Sequence, residues 1–175
     1  MRSFPSKAFT ASYQGRSNVL ITDVIVGQAF DHQKMSDPPG VKRKYRAVWD
    51  TGATNSVITE RVAQECGLKP ISLANIETAN GTRQCNVYLA SILLPNTVGI
   101  SSLTVTEATL NGDIEVLIGM DVIGSGDFAV TCSNGNTIFS FRYPSTDTID
   151  FVKESNRKRA RQKQRLQRNN RKHGK

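Results

Sequence analysis

The sequence predicts a small all-β domain, a closed barrel or sandwich with one short helix, and three observations carry that prediction. Short runs rich in β-branched and aromatic residues recur along the body of the chain. Turns rich in Gly and Asn separate them. A single short stretch, residues 59–66, has the spacing of a helix, with Val62, Ala63 and Cys66 on one face.

The elements follow in order. Residues 18–30 hold Val19, Ile21, Val24 and Val26 and predict a strand. Pro38-Pro39-Gly40 then marks a loop. Residues 42–49 alternate charged and apolar side chains and turn fully apolar at Ala47-Val48-Trp49, as in a strand running into a core. Small polar residues at 50–55 interrupt it, and Ser56-Val57-Ile58 resumes it. Thr59 is placed to cap the helix and Gly67 to stop it. Residues 71–79 and 83–94 predict a hairpin about Asn80-Gly81. Two more strands are expected at 103–108 and 114–118, then a turn with one helical turn at 119–126. A last hairpin, 128–132 and 137–143, flanks Ser133-Asn134-Gly135-Asn136.

Charge divides the chain. Residues 153–175 carry eleven Lys and Arg against one acid, Glu154, a net +10, whereas the whole chain is +8. Residues 1–152 therefore sum to −2, and the basic pI belongs to the tail. Residues 1–17 are expected to be flexible, 18–146 to form the β domain, and 147–175 to be disordered or helical only on a partner, because too few apolar residues remain to bury a face. No run of eighteen apolar residues exists, so no membrane span is expected, and the N-terminus lacks the apolar run of a secretory signal. Cys66, Cys85 and Cys132 are widely spaced and far from His32 and His173, so no metal site and no cofactor are expected. Three unpaired thiols and the absent signal point to a cytoplasmic protein.

Two places break the β rhythm in a way that suits chemistry. In the first, the apolar strand 47–49 ends in Asp50-Thr51-Gly52-Ala53. Apolar walls make a carboxylate costly to ionise, although an Asp at a strand end also starts an ordinary Asx turn. In the second, Val116-Leu117-Ile118 runs into Gly119-Met120-Asp121, which alone is a glycine turn between core elements.

Together, and in this order, the two segments resemble the retropepsin-like aspartic peptidases, the single-domain relatives of pepsin. Asp50-Thr51-Gly52-Ala53 matches the catalytic motif, and Ser56-Val57-Ile58 matches the short strand after it. The Asn80-Gly81 hairpin lies where the family places its substrate-covering flap. Leu117-Ile118-Gly119 matches the loop that packs beside the catalytic turn, and Met120-Asp121 looks like the stand-alone bacterial-type members. The resemblance covers about residues 18–142 and implies the retropepsin type of closed barrel.

The resemblance also implies the chemistry. Two carboxylates held close share one proton; one draws a proton from water while the other donates to the substrate carbonyl. The chain has one Asp-Thr-Gly. Asp121 is expected to cap the turn after Gly119, and Asp127 to sit in a turn. The second catalytic carboxylate is therefore expected from Asp50 of a second copy, across a twofold axis. Thr51 would lock the two loops, and Gly52 would offer its N–H to the carboxylate. Ala53 replaces the hydroxyl residue often found in pepsin-like relatives, which predicts an activity optimum closer to neutral than theirs. Ala53, Ala79, Asn80, Gly81, Ile118 and Gly119 are expected to contact an extended peptide or protein substrate, with Ala79-Asn80-Gly81 as the flap tip. Competing expectations are a catalytically silent peptide-binding or dimerisation module, or nucleic-acid binding through the tail. Residues 157–175 suit weak contact with nucleic acid or an acidic partner.

Overall fold

The computed structural model of the chain describes residues 5–78 and 81–173. Among these residues ten strands and three α-helices follow in the order β1 Lys7–Tyr13, β2 Leu20–Gln28, β3 Arg43–Trp49, β4 Val57–Ile58, α1 Glu60–Glu65, β5 Pro70–Thr78, β6 Gly81–Leu93, β7 Gly99–Glu107, β8 Val116–Ile118, α2 Met120–Ile123, β9 Asp127–Thr131, β10 Thr137–Tyr143 and α3 Phe151–His173.

Six strands close a barrel in the order β2, β3, β8, β4, β7, β6, with β6 pairing back onto β2 through Ile25↔Leu93 to Gln28↔Ala90. Closure leaves these strands no open edge. β5 lies outside the ring and among the described residues pairs with β6 alone. Their pairing runs as far as Thr78↔Gly81. Two parallel pairings, β3 with β8 and β4 with β7, bring sequence-distant segments side by side. The first places Trp49 opposite Ile118, so the two segments singled out in the sequence end together.

A separate sheet, β1-β10-β9, packs against the barrel. Its joint is aromatic. Trp49 lies 5.1 Å from Phe139 and 5.0 Å from Phe141, ring centre to ring centre, and Phe9 meets Phe139 edge-on at 5.4 Å. Such pairs contribute about 0.5–1.5 kcal/mol each beyond their buried area. Phe139 and Phe141 are fully buried. The indole N–H of Trp49 donates to Thr22 Oγ1 at 2.8 Å, so the ring is fixed in the core without an unpaired polar atom. Trp49 immediately precedes Asp50, and this packing sets where the following loop begins.

The strand expectations hold with boundaries shifted by a few residues, β7 starting earliest, at Gly99. Helix α1 begins at the expected cap, with the Thr59 side chain accepting from the Val62 N–H, and Gly67 at φ +62 follows its last residues.

Two terminal segments differ from the expectation. Residues within the supposedly flexible 1–17 form β1, which pairs with β10 from Lys7↔Tyr143 to Tyr13↔Thr137. The reason is in the pattern: Phe9, Ala11 and Tyr13 alternate with Thr10 and Ser12 and turn one face towards the barrel. The tail, expected to be disordered or to fold only on a partner, is the continuous helix α3. The Asp150 carboxylate caps it by accepting from the Lys153 N–H at 3.0 Å. Among the described residues no helix is long and apolar enough to cross a membrane.

Candidate active site

Asp50 follows β3 directly and is half-buried. Its N–H donates to Ile118 O at 2.9 Å, which ties the loop to the end of β8. Its Oδ1 accepts from the Gly52 N–H at 2.8 Å, and its carbonyl accepts from the Ala53 N–H at 3.3 Å. Residues 50–53 thus form a tight turn that holds the carboxylate by a backbone donor. Thr51 and Gly52 are exposed at its crest, and Ala53 is half-buried.

The second segment grips this turn from beneath. The Ala53 carbonyl accepts from the Met120 N–H at 2.8 Å, and the Thr54 carbonyl accepts from the Asp121 N–H at 3.1 Å. Gly119 packs so close that a Cβ there would lie 2.6 Å from both C and O of Asn55, and 3.0 Å from Ala53 O. Those are backbone atoms and cannot swing away, so the approach requires glycine at 119. The buried Ile118 lies at the base of the same turn.

Two residues missing from the sequence-derived site complete the grip. Ser56 is fully buried. Its N–H donates to Asp121 Oδ2 at 2.8 Å and its hydroxyl donates to Asp121 Oδ1 at 2.7 Å. Ser56 Oγ in turn accepts from the Gly119 N–H at 3.0 Å. Asp121 was expected to cap the turn after Gly119, and its Oδ1 does accept from the Val122 N–H at 2.9 Å. Its larger role is to clamp the far end of the Asp50 loop. Sequence separation of 65 residues hid this pairing, because no local pattern joins Ser56 to Asp121.

Asp127, the other carboxylate weighed in the sequence, opens β9 and is engaged elsewhere. The Ser145 hydroxyl, the Thr146 N–H and the Arg142 guanidinium hold its carboxyl well below the usual carboxylate range.

Ala79 and Asn80 of the proposed flap tip lie outside the described residues, and Gly81 opens β6. The structure therefore brings Asp50, Thr51, Gly52, Ala53, Ile118 and Gly119 together as one loop pair and describes the hairpin only up to its tip. Among the described residues no group of three or more His, Cys, Asp or Glu side chains is placed to hold a metal ion.

Residues 41–125 match the family model described as gag-polyprotein putative aspartyl protease. No curated protein matches the chain. Among solved structures it is similar to a retropepsin-like aspartic protease from Rickettsia conorii, at 18% identity over 81% of this chain and 98% of that one, with a TM-score of 0.47. It is also similar to the Simian Foamy Virus (mac) protease, at 22% identity over 46% and 81% of the two chains and a TM-score of 0.37. A third likeness is to the retroviral protease-like domain of Ddi1 from Leishmania major, at 17% identity over 76% and 100%, with a TM-score of 0.41. The matched segment spans β3 to α2 and contains both Asp50-Thr51-Gly52 and Leu117-Ile118-Gly119, so the similarity to that aspartyl protease family falls on the loop pair of the candidate site.

Proposed function

We propose that the chain is an aspartic endopeptidase in which Asp50 from each of two copies forms the catalytic pair. The observation that carries this reading is the Asp50 turn itself: a half-buried carboxylate held by one backbone N–H, with Thr51 and Gly52 exposed beside it. A carboxylate that merely closed an Asx turn would need neither the apolar strand before it nor the grip of Gly119 and Asp121 from beneath.

The need for a second copy follows from how the other carboxylates are used. Both Asp121 oxygens accept hydrogen bonds from Ser56, and Asp127 is bound by Arg142, Ser145 and Thr146. Neither is available to share a proton with Asp50. A twofold axis passing beside the exposed crest of the turn would set the two Asp50 side chains face to face. Thr51, at that crest, would then meet its own copy.

Two like charges held this close repel, so one carboxylate of such a pair keeps a proton. The ionised Asp50 takes a proton from a water molecule, which attacks the scissile carbonyl carbon. The protonated Asp50 donates to the carbonyl oxygen as it gains charge. When the C–N bond breaks, the proton taken from water passes to the leaving amine, and a hydroxyl of the intermediate returns its proton to the second Asp50. An extended peptide would lie across the turns, with the β5–β6 hairpin above it and Ile118 and Val57 contributing to apolar pockets below. Ala53 supplies no hydroxyl, so the pair has one donor fewer than in hydroxyl-bearing relatives, and the activity optimum is expected closer to neutral than pepsin's.

The test is cleavage of a mixed peptide library by the full chain and by Asp50→Asn, read by mass spectrometry from acid to neutral pH. Cleavage by the wild type that vanishes in the variant supports the proposal and gives the specificity. Equal cleavage by both would overturn it.

A further inference from the structure

Helix α3 is the longest element among the described residues. Every side chain from Phe151 to Arg165 is exposed. Lys153 pairs with Asp150, and Lys158 with Glu154. Arg157, Arg159, Arg161, Lys163 and Arg165 have no ion-pair partner among the described residues. Arg157, Arg161 and Arg165 recur every fourth position and share one face, so they repel one another along it. The sequence forms a helix nonetheless because Arg, Lys and Gln favour one and Asp150 caps its start.

We propose that α3 binds double-stranded DNA through its phosphates, without reading base sequence. Three features of the helix select this partner. Six of the eleven basic residues in 153–175 are Arg, whose forked guanidinium matches phosphate oxygens in pairs. Twenty-three helical residues extend about 35 Å, close to one turn of duplex, and an α-helix fits the major groove of DNA but not that of duplex RNA. After Phe151 at its first position α3 has no Phe, Tyr or Trp, so its basic stretch lacks the row of stacking platforms by which single strands are held.

A lipid surface fits less well. After Val152 the helix has only Ala160 and Leu166 as apolar residues, which is no face to sink among acyl chains. The remaining residues, 1–152, carry −2, so attraction to a polyanion is confined to the tail. The helix thereby tethers the β domain to DNA, and this role is independent of peptide cleavage.

The test is fluorescence anisotropy with the full chain at 50 and 200 mM NaCl. The probes are two labelled 20-bp DNA duplexes of unrelated sequence, the same-length single strand, the matching RNA duplex, and phosphatidylserine vesicles. The comparison is Arg157→Gln/Arg161→Gln/Arg165→Gln, with helicity checked by circular dichroism. Contact with about four phosphates predicts roughly 10²-fold weaker binding at the higher salt, equal for the two DNA duplexes. Loss of three contacts predicts a log Kd against log salt slope shallower by about 2.7 in the triple variant. No duplex DNA binding at 50 mM, tighter binding to single strand, RNA duplex or vesicles, or an unchanged slope in the variant would each overturn the proposal.

Discussion

Asp121→Ala removes the acceptor that holds the far end of the Asp50 loop from the neighbouring β8–α2 segment. Two donors of the fully buried Ser56, its N–H and its hydroxyl, lose their partner together. A stranded buried donor costs about 1–3 kcal/mol. Asp121 itself is exposed, so water can enter the space left by the carboxylate and recover part of that loss. The net destabilisation expected is about 2–3 kcal/mol, which for a chain of this size lowers Tm by about 4–12 °C. Asp121→Asn keeps the shape and one acceptor oxygen. Its amide group can donate to Ser56 Oγ, leaving the Ser56 hydroxyl proton unmatched and the Val122 N–H with Gly119 O alone, and about 1 kcal/mol is expected. Chemical denaturation of both variants beside the wild type measures the ladder. Peptide cleavage should fall more than stability does, because the Asp50 turn loosens while the barrel stays closed. Asp121→Ala within 0.5 kcal/mol of the wild type, with unaltered cleavage, would refute the clamp.

Gly119→Ala sets a methyl group 2.6 Å from the Asn55 backbone, and overpacking of this kind costs about 1–3 kcal/mol; thermal melts should show the loss, and cleavage should drop because the displaced atoms belong to the Asp50 loop. Asp127 governs part of the acid limb of stability. Its carboxyl is depressed in the folded state, so its contribution is complete above the ordinary carboxylate value near pH 4 and is lost as pH falls below it. Denaturation from pH 5 to pH 2 should therefore give a shallower decline for Asp127→Asn than for the wild type, and parallel curves would contradict the assignment.

Strand existence was legible where apolar residues alternate or run together, as in β2, β3 and the β9–β10 hairpin, because burial of one face imposes that period. β1 carries the same signal in Phe9, Ala11 and Tyr13, but it is short and surrounded by Ser, Pro and Gly. Its partner, β10, lies about 130 residues away, and such pairing has no local signature. The site divides the same way. Asp50-Thr51-Gly52 and Leu117-Ile118-Gly119 are compact motifs and stand out in the chain. Ser56 and Asp121 are common residue types whose meaning comes from one contact between the loop before β4 and the helix after the adjacent β8, segments joined only by tertiary structure. For α3, composition excluded a core-facing helix, but the good helix propensity of Arg, Lys and Gln and the Asp150 cap suffice for the helix itself.

The measurement closest to the central claim is subunit mixing. Wild type and Asp50→Asn, co-denatured at equal concentration and refolded together, should assort at random. If each site needs Asp50 from both copies, only the wild-type pairs are active, about one quarter of all pairs, and the mixture should show about one quarter of the activity of the same total amount of wild type. Activity near one half, proportional to the wild-type fraction, would mean that each copy carries a complete site and would contradict the shared pair.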